Sequence, residues 1–338
     1  TDAISRVICD FTRLTDEYLP SDIFDRESQI IELQKYLSPA KLGRKPFHIW
    51  LHGRPGTGKT AVAHYVANQI ESSSNVEVAF VNCWQNPTLF LVLQQIIETL
   101  RIVVPDNANT VVKLHRIVSK LGETPLILVL DEIDKAPPRE RNSIIYSICQ
   151  LNNVGIIAIC NSREELFYLE DRVKSRFDPV QIWFDQYSKQ TIKRILEEVA
   201  KSALSEGSWT PDVLDHIAEL AAGDARVAIQ TLRNAAQHAE LDSTRVITQE
   251  HVKLGWTNAV NLKAEYLLKN TTHHHRMLVE IVKAHTEITS GLLWTAYLEQ
   301  CKENNQRPIA SRTYNLYINS LVSQGILERT RASVQGNV

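Results

Sequence analysis

Cysteine is scarce and scattered in this sequence: five residues, Cys9, Cys83, Cys149, Cys160 and Cys301, with no C-x-x-C spacing. An odd number at irregular intervals argues against a disulfide framework or a zinc ribbon. It fits a reducing compartment in which each serves as a small buried apolar residue. Long hydrophobic runs are also missing, and none approaches the roughly 20 residues of a membrane-spanning helix. No basic stretch, apolar core and small-residue cleavage site open the chain, so no secretory leader is read. With Thr1 in first position, the sequence reads as a trimmed chain. An excess of one charge is lacking too, since 37 Lys and Arg against 39 Asp and Glu leave a net charge of −2. A general polyanion coat is thereby excluded, and any nucleic-acid surface must be local. No internal repeat occurs, and the one low-complexity run is His273-His274-His275. Consecutive histidines on a helix cannot all face one ion, so this run reads as a solvated linker.

What remains is ordinary globular material. The 338 residues are 43% hydrophobic and 22% charged, enough for two or three domains with real cores. Apolar, β-branched runs bounded by turns lie at 47–52, 76–82, 126–130, 156–160 and 180–184. Between them, helical periodicities cover 61–70, 88–100, 111–121 and 141–151. Near-continuous apolar strands alternating with helices predict a five-stranded parallel sheet covered on both faces. After Tyr187 the strands stop. Helices are predicted over 191–205, 211–222, 225–239 and 248–269, with Pro211 in a first turn. A polar stretch at 270–275 precedes three more helices, at 276–285, 291–304 and 311–324, and a strand at 326–332. The predicted organisation is an α/β base over 1–186, an all-α lid over 187–270 and a C-terminal unit over 271–338.

The first chemical signal is Gly53-Arg54-Pro55-Gly56-Thr57-Gly58-Lys59-Thr60, which matches G-x-x-x-x-G-K-[ST] between a strand and a helix beginning near Ala61. Its glycines let backbone N–H groups curl round phosphate oxygens. Lys59 can reach the β- and γ-phosphates, and the Thr60 hydroxyl can ligate Mg²⁺. The N-terminus of the following helix adds partial positive charge. A chance match in a chain of this length is of order one per cent on average residue usage. The second signal is Leu126-Ile127-Leu128-Val129-Leu130-Asp131-Glu132, an apolar strand ending in two acids. Asp131 is placed to hold the metal through its water shell, and Glu132 to polarise a water for attack on the γ-phosphate. Together the two signals predict binding and hydrolysis of ATP.

At this point the chain resembles an AAA+ ATPase, and more closely the archaeal replication initiators related to the origin recognition complex and cell-division-cycle-six proteins. The resemblance covers nearly the whole chain. It is carried by Gly53–Thr60, by Leu128-Val129-Leu130-Asp131-Glu132-Ile133-Asp134 and by Cys160-Asn161. Asp171-Arg172-Val173-Lys174-Ser175, Gly223-Asp224-Ala225-Arg226 and a C-terminal winged-helix pattern complete it. The fold it implies is a P-loop base with a five-stranded sheet, then a helical lid and a winged helix. It makes Asn161 a sensor that orients the attacking water, and Arg226 a second sensor reaching from lid to γ-phosphate. Arg172 becomes an arginine finger offered to a neighbouring subunit, with Arg176 a competing choice, so that an isolated subunit should hydrolyse slowly. Tyr18-Leu19-Pro20, Ile23 and Arg26-Glu27 resemble the segment flanking the adenine, with Tyr187 and Ile195 closing that pocket from the lid.

The C-terminal unit carries seven basic against five acidic residues, a local charge of +2 with −4 elsewhere. Ser311-Arg312-Thr313-Tyr314-Asn315 opens the helix expected to enter a major groove. Leu316, Ile318, Leu321 and Val322 are expected to bury its opposite face, and Arg329 and Arg331 to line the first half of a wing. The chain stops at Val338 without a return strand, which predicts an incomplete wing, and a winged helix serving protein contacts stays open as an alternative. Asn82-Cys83-Trp84-Gln85 and the helix at 88–100 fall where the family carries an initiator-specific insertion. Here that helix is almost wholly apolar, so packing comes first and a DNA contact second. The resemblance implies ATP or ADP and Mg²⁺ as ligands. It also implies origin double-stranded DNA, the replicative helicase and paralogous initiator subunits as partners. A cytoplasmic, nucleoid-associated location without membrane contact follows. The rival readings are a nucleotide-switched signalling ATPase, which usually has a proline-centred lid motif instead of Gly223-Asp224-Ala225-Arg226, and a clamp-loader relative, whose helical collar the 311–325 region fits poorly.

Overall fold

The computed structural model describes residues 7–15, 23–269, 272–285, 287–304, 306–323, 327 and 329–330. The base begins with α1 (Glu27–Lys41), then β1 (Ile49–Gly53), α2 (Lys59–Ser73), β2 (Glu77–Asn82), α3 (Leu89–Thr99), α4 (Thr110–Leu121) and β3 (Leu126–Asp131). It continues through α5 (Pro138–Cys149), β4 (Val154–Cys160), the one-turn α6 (Glu164–Phe167), α7 (Asp171–Phe177) and β5 (Val180–Phe184). The five strands pair in parallel in the order β2-β3-β4-β1-β5. Every residue of β1 and β4 is buried, as central strands covered on both faces require. Alternation along β1 sends Trp50 into a cluster with α3, α5 and α7, and Ile49 and Leu51 into one with α1 and α2. The loops after β1, β3 and β4 therefore emerge side by side at the carboxyl ends of the strands, the usual ligand edge of such sheets.

Four helices follow: α8 (Lys189–Ala203), α9 (Pro211–Leu220), α10 (Ala225–Leu241) and α11 (Gln249–Lys269). Ser188, Thr210 and Asp224 cap the first three through side-chain oxygens. Ile192, Leu196, Leu214, Ile217, Leu232 and Ala235 form their common core. That core also takes Val7, Ile8 and Leu14. Residues 7–15 therefore pack on the lid and not on the base, where the 1–186 division had put them. The physical reason is tertiary: Ile8 bridges Leu204, the Val7 and Ile8 amides both donate to Glu240 Oε1, and Cys9 N donates to the Ala203 carbonyl. Cys9 is exposed, with its Sγ 3.3 Å from Ser205 Oγ, whereas the other four cysteines are buried as expected.

The last described helices are α12 (His273–His285), α13 (Ser290–Glu303) and α14 (Ser311–Ser323). Met277, Leu278, Leu293, Tyr297, Cys301, Tyr314, Ile318 and Leu321 form their separate core. The histidine run is not a linker. It opens α12, with His275 stacked on Tyr317 at 3.7 Å between ring centroids and His274 Nδ1 2.9 Å from the Tyr297 hydroxyl. No described helix is long and apolar enough to cross a membrane.

Candidate nucleotide site

The loop between β1 and α2 wraps the Lys59 side chain. Lys59 is 6% exposed, and its Nζ donates to the carbonyls of Gly53 and Arg54 at 2.7 and 2.8 Å. A third contact, at 3.4 Å, reaches Asn161 Oδ1 just past β4. Burial holds the Lys59 amine down to about 8, against the pull of Cys160, Asp131 and Asp134. Thr60 Oγ1 donates to Asp131 Oδ2 at 2.9 Å at the end of β3. Desolvation raises the pKa of Asp131, and it raises that of Glu132 with Asp131 adding to the effect. Glu132 occupies left-handed backbone, φ 52 and ψ 41, a conformation that non-glycine residues keep where surroundings impose it. Its Oε2 is buried without a partner among the described residues. The site thus brings together a buried cation, two hard oxygen ligands and a carboxylate oxygen held unpaired. That donor set fits a Mg²⁺-bound polyphosphate, which would supply the missing charge balance. No cluster of three or more metal-ligating side chains occurs among the described residues.

The lid rests directly on this loop. Ala225 N, at the start of α10, donates to the Gly56 carbonyl at 3.1 Å. Asp224 Oδ1 caps α10 by accepting from the Arg226 and Val227 amides at 3.0 and 3.1 Å. A Cβ on Gly56, at φ +73, would lie 1.9 Å from that oxygen, and one on Gly58, at φ +84, would lie 2.3 Å from the Tyr187 hydroxyl. Glycine is needed at both positions because the lid closes over them. Arg54 donates to Gln186 Oε1 at 3.1 Å, and Gln186 Nε2 donates to the Ala222 carbonyl at 3.2 Å. Arg226 is exposed, yet its charge acts on Lys59, Asp131 and Glu132 together. The G-D-A-R segment is therefore built into the phosphate loop, with Asp224 the residue that motif reading alone undervalued. Its signal was present, as an Asp after Gly at a helix start is a cap.

The remaining expected residues fall in several places. Pro55, Thr57 and Ala61 lie in the loop and first helical turn, and Leu19 and Pro20 lie outside the described residues. Ile23 packs on the base core and Ile195 on the lid core. Arg26 holds the loop by its backbone: Nε donates to the Thr57 carbonyl at 3.0 Å and NH2 to the Asp185 carbonyl at 2.6 Å. Its guanidinium lies 3.9 Å from the Tyr187 ring centroid. Arg172 and Arg176 are both exposed on α7 and flank Tyr146, at 5.4 and 5.7 Å from its centroid. Arg172 pairs with Glu170 at 2.7 Å.

On α14, Ser311, Arg312 and Asn315 are exposed and Thr313 is half-buried. Tyr314 corrects the expectation, being only 5% exposed. It shares a helical face with Ile318 and Leu321 and meets Trp294 edge to face at 4.5 Å. Leu316, expected in the core, is 54% exposed. Arg329 is exposed and donates to Asn319 Oδ1 at 3.2 Å, and Arg331 lies outside the described residues, as does most of the expected strand at 326–332.

Comparison with known proteins agrees with this architecture. Residues 23–157 match the AAA ATPase domain, and residues 193–255 match the Cdc6 AAA+ ATPase-type lid domain. ORC1-type DNA replication protein 1 of Sulfurisphaera tokodaii is 30% identical over 342 residues, covering 96% of this chain and 86% of that protein. Its counterpart in Methanothermobacter thermautotrophicus is 30% identical over 348 residues, covering 95% and 88%. The structure of the Aeropyrum pernix ORC1 protein in complex with DNA superposes with a TM-score of 0.71 at 28% identity, covering 96% of this chain and 89% of that one. The chain therefore belongs to the ORC1-type DNA replication proteins, initiators built on an AAA+ ATPase base with a Cdc6-type lid.

Proposed function

We propose that the chain binds origin double-stranded DNA through a winged helix built on α12–α14, and that ATP held between base and lid sets how that unit is presented. The observation that carries this reading is the seat of the lid on the phosphate loop. With Ala225 N bonded to the Gly56 carbonyl, a change in the phosphates under the loop shifts the α10 N-terminus and everything after it. Lys59 and the loop amides bind the phosphates. Thr60 and Asp131 would hold Mg²⁺, which supplies charge neutralisation when bound. Ile23, Tyr187 and Ile195 flank the base, and Arg26 fixes the loop against β5.

Hydrolysis is assigned to Glu132, which takes the proton of the attacking water, and to Asn161, which orients that water from beside Lys59. Arg226 reads the γ-phosphate from the lid. Arg172 acts in a neighbour's site, with Arg176 on the same helix the alternative. Fingers of this kind are worth roughly 10³–10⁵ in rate, so the isolated chain turns over slowly and hydrolysis acts as a timer. The functional units run over 1–186, 187–270 and 271–338, with the 7–15 segment joined to the lid. Recruitment of the replicative helicase and assembly with paralogous subunits, in the cytoplasm on the nucleoid, complete the reading.

On the DNA side, Ser311, Arg312 and Asn315 are exposed at the start of α14 with Thr313 half-buried between them, and Arg329 is exposed beyond it; these residues and Arg331 are assigned to the DNA contact. Arg312→Ala should weaken binding to labelled origin duplex and reduce the slope of log affinity against log salt by about one. Unchanged affinity and slope would remove α14 from the DNA interface and favour a protein-contact role.

A further inference from the structure

Three consecutive residues near the start of α5 point about 100° apart, and each ties to a different element. Glu140 Oε2 accepts from the Leu89 amide at the start of α3 at 2.9 Å. Asn142 Oδ1 accepts from the Glu170 amide at the start of α7 at 2.9 Å. Arg141 lies between them. Its NH2 donates at 2.9 Å to the Asp134 carbonyl, in the turn that follows Glu132. Its NH1 donates at 2.5 Å to Glu165 Oε2, on the segment that leads away from Asn161.

Arg141 is 6% exposed, and its Nε has no partner among the described residues. Burying a guanidinium costs more than burying an apolar side chain of the same volume, so an ion pair here is weak evidence for stability. What the rigid planar fork supplies is geometry. It fixes the turn after β3 against the segment after β4, the two places from which Glu132 and Asn161 project. Glu132 is also the residue in left-handed backbone, and the Asp134 carbonyl grasped by Arg141 lies two residues beyond it.

We infer that Arg141, paired with Glu165, is a positioning residue for ATP hydrolysis. It holds the Glu132 turn and the Asn161 segment in one register, so that both side chains meet the same attacking water. The inference rests on the roles given above to Glu132 and Asn161, and the test separates the two. The full chain and the variants Arg141→Lys, Glu165→Gln and their double would be compared for kcat and for affinity towards a fluorescent ATP analogue, with Glu132→Gln as reference. Lysine keeps the charge but has no fork to span carbonyl and carboxylate. Each single variant should lose ~10- to 100-fold in kcat, as displacements near 1 Å do, while analogue affinity stays near that of the parent; Tm falls, because removing one partner leaves a buried charge uncompensated. The double variant should lose no more than the worse single, because both break one contact. An unchanged kcat, a loss of analogue affinity as large as the loss of kcat, or additive losses of kcat in the double variant would overturn the inference. Should Arg141→Lys fail to fold, Glu165→Gln decides alone. If Glu132→Gln hydrolyses ATP at the parent rate, the reading of the acid turn itself falls and the inference with it.

Discussion

Lys59→Ala is expected to abolish measurable ATP binding while leaving the fold intact. The amine is buried beneath the loop and held at 2.7 and 2.8 Å by the Gly53 and Arg54 carbonyls, so its position is set before any phosphate arrives. Each hydrogen bond from a charged donor is worth roughly 1.5–3 kcal/mol, and one ammonium serves two phosphates of the triphosphate. Losing it should weaken affinity by at least ~100-fold, since each 1.4 kcal/mol is tenfold. The parent protein should also show a pH signature that the variant lacks. Burial lowers the Lys59 amine to about 8, so the free protein carries the cation below that pH and loses it above. Affinity for ATP should therefore fall as pH rises through 8 in the parent and stay flat there in Lys59→Ala. Calorimetric titration at pH 7 and pH 9 checks both statements. Normal affinity in the variant would show that the loop does not hold phosphate.

Glu132→Gln should have the opposite profile: ATP retained, hydrolysis lost. A positioned general base contributes typically 10²–10⁴-fold, and the expected fall in kcat lies in that range. Desolvation raises the pKa of this carboxyl, with Asp131 adding to the effect and Arg226 opposing it. Hydrolysis needs the ionised form, so its acid limb should lie above the ordinary carboxylate range. The same shift fixes the sign of the stability effect. An acid whose pKa is raised on folding costs stability as pH rises through that pKa. Gln at this position should therefore leave Tm at neutral pH equal to the parent value or higher. Loss of turnover with retained Tm and tight ATP would separate chemistry from folding. A parent rate in the variant would remove Glu132 from the mechanism.

Sequence pattern made the sheet legible because its three central strands are buried on both faces and read as apolar runs, as in residues 126–130 and Val154–Cys160. The helix Glu27–Lys41 was not separated from its surroundings, because it buries only Leu33, Leu37 and Ala40 and carries Pro39 inside it. The phosphate loop and acid turn were legible because their chemistry dictates residue type and spacing. What joins them was not. Asp224 over Gly56 and Arg141 between Asp134 and Glu165 link positions 168 and 24 residues apart, the ends of the second link on different elements. No local periodicity encodes such a contact. Helical phase explains the errors on α14. Tyr314 is four and seven residues from Ile318 and Leu321 and shares their buried face, whereas Leu316 is two residues from Ile318, about 200° round the helix, and is exposed. The docking of Val7, Ile8 and Leu14 on the lid was illegible because three apolar residues before a base domain look like any core segment.

On the proposed reading, the phosphates under Gly56 govern how α12–α14 meet DNA. The most direct test is a titration of labelled origin duplex with the full chain at one salt concentration, with a non-hydrolysable ATP analogue, with ADP and without nucleotide. Arg226→Ala would be run in parallel. Duplex affinity should differ by at least ~5-fold between the triphosphate and diphosphate states, a coupling of about 1 kcal/mol, and the difference should disappear in Arg226→Ala. Equal affinity in all three states of the parent would contradict that reading.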